Sequence, residues 1–390
     1  MNEATQQFIK EHRMEDVRQL ALRGGGRQAD VDMPMALQQI AGWQVARKKL
    51  PSWAEVEGII YPPHLNMEQC SSEQTAKYKE TLTPKPSPSD RGVFVDLTGG
   101  FGVDFSFMSR PFRKRIYVER NPDLCEIARH NFQCLDLEAE VVCAEAEGFL
   151  KEMSPADVIF LDPARRDQHG SRTYGIEDCS PNVIVLLPLL REKANCIILK
   201  LSPMLDWRKA VSDVGEQYVR EVHIVSVHNE CKELLLLLGQ GEGLRLVCAN
   251  DGIVFEVDGE SGGDGLNGFE GEDFLYEPNA SIMKAGCFAE LSQRFGIRQI
   301  APNSHLFVSD SYVGDFPGRT FRIDAVTSLN KRDLKEHLRG ISQANIAVRN
   351  FPLSVAGLRK RLKLGEGGST YIFATTLASG EKVLLVCSKG

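Results

Sequence analysis

Apolar positions in the first ninety residues recur at three- and four-residue spacing, through Phe8, Ile9, Val17 and Leu20 and again through Leu37, Ile40 and Val45. That stripe predicts an N-terminal helical domain over residues 1–90. Prolines at 51, 62 and 63 interrupt it, and the TPKPSPSD stretch (83–90) reads as a linker. From residue 93 the pattern shortens. GVFVDL (92–97), RIYVE (115–119), AEVVCA (139–144), DVIFLD (157–162) and CIILK (196–200) read as strands, with helical patterns between them at 122–132 and 181–190. Strands alternating with helices predict a parallel sheet with crossover helices, here over residues 91–255. REVHIVSV (220–227) and ELLLLL (233–238) lie too close together for a crossover, so they are expected to form an antiparallel hairpin.

Residues 256–277 hold eight acids, no Lys or Arg and many glycines, and read as a solvated loop. With the small α+β, ferredoxin-like segment that follows, this stretch is expected to run over 256–316. From 317 to 390, RTFRIDAV, a helix over 331–339, ANIAVRNF, a helix near 358–362, TYIFATTL and KVLLVCSK fit a βαβαββ order, a second and smaller α+β domain.

Composition changes this picture little. With 390 residues, 42% hydrophobic and 25% charged, the chain matches an ordinary folded protein and not a disordered one. Its longest apolar run, 183–190, is far short of the ~20 residues a bilayer needs, and the first twenty residues are polar. The expected location is the cytoplasm, with no membrane partner. Ten scattered cysteines without a C-x-x-C pair predict reduced thiols and no metal site. A net charge of −7 argues against a polyanionic partner. Its distribution argues for one: residues 331–364 carry nine Lys and Arg against two acids. A basic helix face of this kind is a phosphate-backbone footprint, although such a run is also compatible with a plain solvated face. Lys331, Arg332, Arg349, Arg359, Lys360, Arg361 and Lys363 are the candidate RNA contacts. Basic residues in the N-terminal helices (Arg13, Arg18, Arg23, Arg47, Lys48, Lys49) are secondary ones.

The strongest chemical signal is VFVDLTGGFGVDF (93–105). A strand ends in Asp96, and a glycine turn (Gly99, Gly100, Gly102) opens a helix, as backbone must when it closely approaches a ligand. A second acid, Glu119, closes the next strand, where a carboxylate can accept hydrogen bonds from both hydroxyls of a ribose. A nicotinamide site would place glycine or alanine where Phe105 stands. An acid at the start of the turn also suits a cationic ligand better than a pyrophosphate.

Asp96 to Gly102 together with Glu119 resembles the first two motifs of class I S-adenosylmethionine-dependent methyltransferases. The resemblance implies an α/β, Rossmann-like seven-stranded sheet with an antiparallel C-terminal hairpin, and S-adenosylmethionine as cofactor. It implies that Asp96, Thr98, Gly100 and Gly102 line the methionine part of the cofactor and that Glu119 holds the ribose. Glu145 falls where such enzymes place an acid against the adenine amino group; a solvent-facing glutamate is the alternative. The form D-x-T-x-G-x-G-x-D, here Asp96 to Asp104, is similar to that of some RNA guanine-N2 methyltransferases. The stretches 344–374 and 65–82 resemble a bacterial group of methyltransferases with a C-terminal THUMP-like domain, and imply such a domain at 317–390.

DVIFLDPARR resembles the (D/N)-P-P-(Y/F/R) catalytic motif of the same family. A carboxylate (Asp162) and a proline-fixed carbonyl (Pro163) would accept the two hydrogens of an exocyclic amine and aim its lone pair at a methyl donor, orientation supplying most of the rate. Ala164 replaces the second proline and Arg165 the aromatic residue, so Arg165 would clamp a phosphate or stack on a base, with Arg166 beside it. Enzymes of similar D-P-x-R form that methylate a pyrimidine carbon need a cysteine nucleophile at or just after the end of the fifth strand or in the neighbouring loop. Here that strand ends Lys200-Leu201-Ser202-Pro203, Cys196 is at its other end, and Cys179 lies in a loop the pattern does not place, which disfavours carbon methylation. Lys200 reads as either a site residue or a solvated strand-end lysine, the latter being the commoner case. The function expected is transfer of a methyl group to a base amine of RNA. The alternatives are a non-catalytic RNA-binding protein on a degenerate methyltransferase fold, or a methyltransferase of a small molecule or protein.

Overall fold

The computed structural model describes residues 1–23, 30–86, 92–165, 175–259 and 268–390, and divides into two compact units. The first comprises residues 1–220 and 234–242. It opens with helices α1 (Glu3–His12), α2 (Val17–Arg23), α3 (Met33–Lys49), α4 (Pro51–Ala54), α5 (His64–Gln69) and α6 (Glu73–Leu82). Asn2, Asp32 and Ser72 cap α1, α3 and α6 by accepting backbone N–H groups of the first turn, the usual device at a helix start. Ala46, Leu50, Trp53, Tyr61, Met67 and Ala76 form a core with Phe101, Val103 and Phe107. The N-terminal helices are therefore packed onto the glycine turn and the helix it opens.

The α/β part follows as β1 (Val93–Asp96), α7 (Val103–Met108), β2 (Lys114–Glu119), α8 (Pro122–Cys134), β3 (Glu140–Cys143), α9 (Ala146–Glu152) and β4 (Ala156–Leu161). Two short strands, β5 (Ala164–Arg165) and β6 (Cys179–Ser180), pair antiparallel. Then come α10 (Val183–Lys193), β7 (Ala194–Leu201), α11 (Trp207–Val214), β8 (Val219–Val227) and β9 (Glu230–Leu238). Strand β1 pairs parallel with β2 on one side and β4 on the other; β3 extends the first side and β7 the second, both parallel. Strand β9 pairs antiparallel with β7, with Ile197 opposite Leu238. Strands β1, β4 and β7 are almost wholly buried, as parallel strands covered on both faces must be. Chain order reverses between β1 and β4, and the carboxyl ends of strands at such a switch point form the ligand crevice of open α/β sheets. Asp96 and Asp162 stand at those two ends.

The turn joining β8 to β9 is two residues, His228 and Asn229, at φ 52° and 59°, the left-handed pair a tight hairpin requires. In the second unit (221–233 and 243–390), β8 pairs parallel with β10 (Arg245–Asn250), which pairs antiparallel with β11 (Ile253–Asp258). Phe274–Pro278 forms β12, followed by α12 (Ala280–Ala285), α13 (Phe288–Phe295), β13 (Arg298–Gln299), β14 (Phe307–Ser309) and β15 (Gly318–Thr327). The chain ends with α14 (Lys331–His337), β16 (Asn345–Arg349), α15 (Val355–Leu362), β17 (Thr370–Thr376) and β18 (Lys382–Lys389). These strands make one sheet in the order β13-β14-β12-β15-β18-β17-β16, so residues before and after 317 share a continuous sheet.

The acidic run differs from its reading as a solvated loop. Glu256 and Asp258 lie in β11, and Glu260 and Asp264 fall outside the described residues. Glu272 and Glu277 are buried at 3% exposure each, held by arginines from distant sequence: Arg298 for Glu272, and Arg319 with Arg349 for Glu277. Local composition could not show this, because the compensating charges come from other strands. No helix among the described residues is long and apolar enough to cross a membrane.

Removing Arg319 and Arg349 together would leave the Glu277 carboxylate buried without a cation, a loss on the order of 3 kcal/mol. Glu277→Gln should cost less, because the two half-exposed guanidinium groups can turn to water. Urea denaturation of the double Ala variant and of Glu277→Gln measures the difference; equal losses would contradict it.

Candidate active site

Three loops at the carboxyl end of the sheet build the site. The first follows β1. Asp96 is 1% exposed, and its Oδ1 accepts the Thr98 N–H at 2.9 Å. A side-chain atom on Gly99 would stand 2.1 Å from the Tyr117 ring, so only glycine lets the turn lie flat on that ring. Gly100 turns at φ 54° and faces open space: a side chain there would meet only the Thr98 carbonyl, at 3.9 Å. Tyr117 donates its hydroxyl to the Gly100 carbonyl. Gly102 stands at the start of α7, and Phe105 in that helix is fully buried against Phe94, Tyr117 and Phe132. An aromatic contact thus seats this helix where a nicotinamide-type turn uses a small residue.

The second loop ends β2. Glu119 Oε2 accepts the Gly100 N–H at 2.9 Å and Oε1 accepts the Asn121 N–H at 2.9 Å. Each carboxylate oxygen has two lone pairs, so the group retains capacity for ligand hydroxyls. The third loop ends β4, where the Asp162 N–H donates to Thr98 Oγ1 at 2.6 Å. One threonine hydroxyl therefore ties the cofactor-type loop to the Asp-Pro loop. Pro163 is buried, and Ala164 and Arg165 pair with Ser180 and Cys179. The backbone of Arg165 is thus placed, while its side chain and all of Arg166 lie outside the described residues. Cys179, unplaced by the sequence reading, is buried in β6 opposite Arg165. Glu145 is exposed at the start of α9, and its side chain does not cap that helix.

Below these loops lies a charge cluster that the sequence reading missed. Lys200 is not a solvated strand-end lysine. It is 8% exposed, with Nζ 2.5 Å from Asp162 Oδ2 and 3.5 Å from Asp104 Oδ2. Asp104 Oδ1 faces Lys79 Nζ of α6 at 3.1 Å, and Ser71 donates its hydroxyl to Asp104 Oδ2 at 2.7 Å. The visible signals were a lysine closing an otherwise apolar strand and a second acid after the glycine turn; neither named its partner in α6.

The two buried aspartates behave oppositely. Burial would raise the Asp104 carboxyl, but the ammonium groups of Lys79 and Lys200 hold it below its ordinary value. For Asp96, burial is the largest cause of a carboxyl pushed well above the carboxylate range; the Thr98 N–H opposes it, and the charges of Asp104, Asp162 and Glu119 add to it. Asp96 is thus an acid whose ionisation calls for a positive charge nearby. Beside it lie open space over Gly100 and a second carboxylate at Glu119. This set fits a ligand that carries a cation at one end and hydroxyls at the other.

In the second unit, Lys331, Lys335, Arg361 and Lys363 rim a groove of about 270 Å³ floored by Leu334, Leu338, Ile341, Leu362 and Leu364. Arg332 and Lys360 are exposed but do not line it. Arg359 instead donates to the Ala344 and Gly365 carbonyls at 3.0 and 2.7 Å, and Arg349 is held by Glu277. Of the seven candidate RNA contacts, the groove gathers Lys331, Arg361 and Lys363 and adds Lys335.

Residues 318–389 match the THUMP domain-like family, and residues 274–317 match a ferredoxin-like domain. The solved structure of a candidate methyltransferase from Porphyromonas gingivalis W83 is 32% identical, covers 99% of this chain and 98% of its own, and superposes with a TM-score of 0.84. The chain belongs to the same methyltransferase family as that protein and carries a C-terminal THUMP-like domain. More distant is a class I S-adenosylmethionine-dependent candidate methyltransferase from Listeria monocytogenes, 10% identical over 64% of this chain and 93% of its own, with a TM-score of 0.40. A tRNA (uracil-54, C5)-methyltransferase from Pyrococcus abyssi, in complex with S-adenosyl-L-homocysteine, is 16% identical over 42% of this chain and 37% of its own, with a TM-score of 0.29. Neither of these two adds to the fold assignment. No curated protein matches the sequence.

The raised Asp96 carboxyl has a measurable sign. In the window above ~4, where the unfolded group has ionised and the folded one has not, the native state binds more protons, so rising pH destabilises it. Asp96→Asn removes that term. The unfolding midpoint of the variant relative to the parent should therefore rise with pH above about 4. A difference flat in pH would show that Asp96 ionises without penalty.

Proposed function

We propose that this methyltransferase modifies an exocyclic amine of an RNA base, with Asp162 and the Pro163 carbonyl orienting the acceptor. The observation that carries the reading is the Thr98 hydroxyl bond to the Asp162 N–H at 2.6 Å, which holds the presumptive methyl-donor loop and the acceptor loop together. S-adenosylmethionine, when bound, supplies a methyl group on a cationic sulfur. Asp96 and the backbone of Thr98, Gly100 and Gly102 would hold its methionine end, with Asp96 ionised against the added positive charge. Glu119 would accept the ribose hydroxyls, and exposed Glu145 would reach the adenine from the rim. Pro163 has no N–H and a fixed φ, so its carbonyl is set as an acceptor without a competing donor. Asp162 and that carbonyl would accept hydrogen bonds from the two amine hydrogens and so orient the nitrogen lone pair toward the donor.

The cation-rimmed groove supports an RNA partner. Its four cations would bind phosphates irrespective of sequence, and its apolar floor would take the flat face of an unpaired base. Arg332 and Lys360 would add backbone contacts outside it.

Calorimetry should show S-adenosylmethionine binding that weakens at least about tenfold in Glu119→Ala, the loss of two hydroxyl hydrogen bonds to a charged group. Labelled methyl transfer to total RNA, followed by nucleoside mass spectrometry, should yield an N-methylated base and fail in Asp162→Ala. A 5-methylpyrimidine would overturn the amine assignment and direct attention to Cys179. RNA binding without transfer would establish the non-catalytic reading. RNA affinity should fall with salt, by a slope of about 0.7 per phosphate neutralised, and replacing Lys331, Lys335, Arg361 and Lys363 by Ala should flatten that slope.

A further inference from the structure

We infer that Lys200 is a positioning residue for Asp162, anchored through Asp104 to Lys79, so that helix α6 of the N-terminal segment is a working part of the methyl-transfer site. The inference deepens the proposed function, resting on Asp162 as the group that orients the acceptor.

The geometry is a chain of alternating charge. Lys79 Nζ, fully buried, stands 3.1 Å from Asp104 Oδ1; Asp104 Oδ2 stands 3.5 Å from Lys200 Nζ; and Lys200 Nζ stands 2.5 Å from Asp162 Oδ2. Ser71 braces the buried end, donating to Asp104 Oδ2 at 2.7 Å and accepting from Lys79 at 3.2 Å. Only the Asp162 end opens outward, its side chain 39% exposed against 10% for Lys200. A buried ammonium costs several kcal/mol unless carboxylates meet it with good geometry, so Lys79 holds its place only while Asp104 does. Asp104 in turn leaves Lys200 little freedom, and Lys200 fixes the rotation of the Asp162 carboxylate.

This bears on chemistry as well as placement. Among the described residues, the charged and titratable groups on the elements around Asp162 include Lys200 from β7, Asp104 from α7, Asp96 from β1, Glu119 from β2, Lys79 from α6 and Cys70 just before α6. Of these, Lys200 touches the carboxylate at 2.5 Å, and its charge favours the ionised form. Asp162 therefore accepts a hydrogen bond from the amine and does not retain its proton. It orients; it is not the base.

The test uses the full chain with carbon-13 at aspartate carboxyls, titrated by NMR without added cofactor and assigned through Asp162→Asn. In Lys200→Met the midpoint of Asp162 should rise by about one unit or more, a tenfold change in its ionisation constant, and Lys200→Arg should restore most of it. Ser71→Ala keeps both ammonium groups; it should raise the Asp104 midpoint and move Asp162 less than Lys200→Met does. An Asp162 midpoint unmoved in folded Lys200→Met would overturn the inference, as would an Asp104 midpoint unmoved in Ser71→Ala. This readout needs neither cofactor nor RNA, so it stands or falls separately from the proposed reaction. With S-adenosylmethionine and total RNA, Lys200→Met should lower kcat about a hundredfold while the cofactor Kd stays within about threefold, the mark of lost orientation. A parallel loss of cofactor affinity would show a merely structural lysine.

Discussion

Much in the first unit depends on one requirement: the buried carboxylate of Asp104 must be met by positive charge. Lys79 comes from the N-terminal helices and Lys200 from the end of a central strand, and each lies within 3.5 Å of that carboxylate. A cluster of this kind adds little net stability over well-packed hydrocarbon, because the desolvation of three ions offsets most of their attraction. What it contributes is specificity of arrangement. The helix after the glycine turn, the strand that ends near the Asp-Pro loop, and α6 can satisfy the cluster only in one relative placement. The aromatic core of Trp53, Tyr61 and Phe101 fills the space beside it and supplies the apolar burial that ionic contacts do not.

What could be read from the sequence followed from locality. Strands such as VFVD and DVIFL announce themselves because a strand covered on both faces is a continuous apolar run. The glycine turn and its two flanking acids are readable because their spacing along the chain is the spacing the crevice uses. Asp96, Thr98 and Glu119 are accordingly found together around one loop, joined by hydrogen bonds of 2.9 Å. Lys79 was invisible for the opposite reason: on α6 it is one lysine among polar neighbours, and only packing makes it a fully buried ion. The same holds for Lys200, which at the end of an apolar strand looks like a side chain reaching for water.

Charge runs misled in both directions. The acids between 256 and 277 looked uniformly solvated, yet Glu272 and Glu277 are interior groups whose arginines arrive from β13, β15 and β16. Among the basic residues, Arg349 and Arg359 are committed to a carboxylate and to two carbonyls, whereas Lys335, unremarkable in the run, stands on the groove. A count of charges gives the sign of a surface; it does not separate charges that hold the fold from charges that face a ligand.

The glycine turn carries a further implication. Gly99 lies so close to the Tyr117 ring that a methyl group would overlap it at 2.1 Å, and Gly102 has the Phe132 ring 2.9 Å from the same test position. Each glycine and its ring fill one volume. Bulk added at 99 would have to be removed from the ring at 117, and at 102 a smaller residue 132 would make the room while a φ of 85° would still strain the newcomer. The turn's small residues and the large rings beneath them are one packing unit, written at two distant places in the chain.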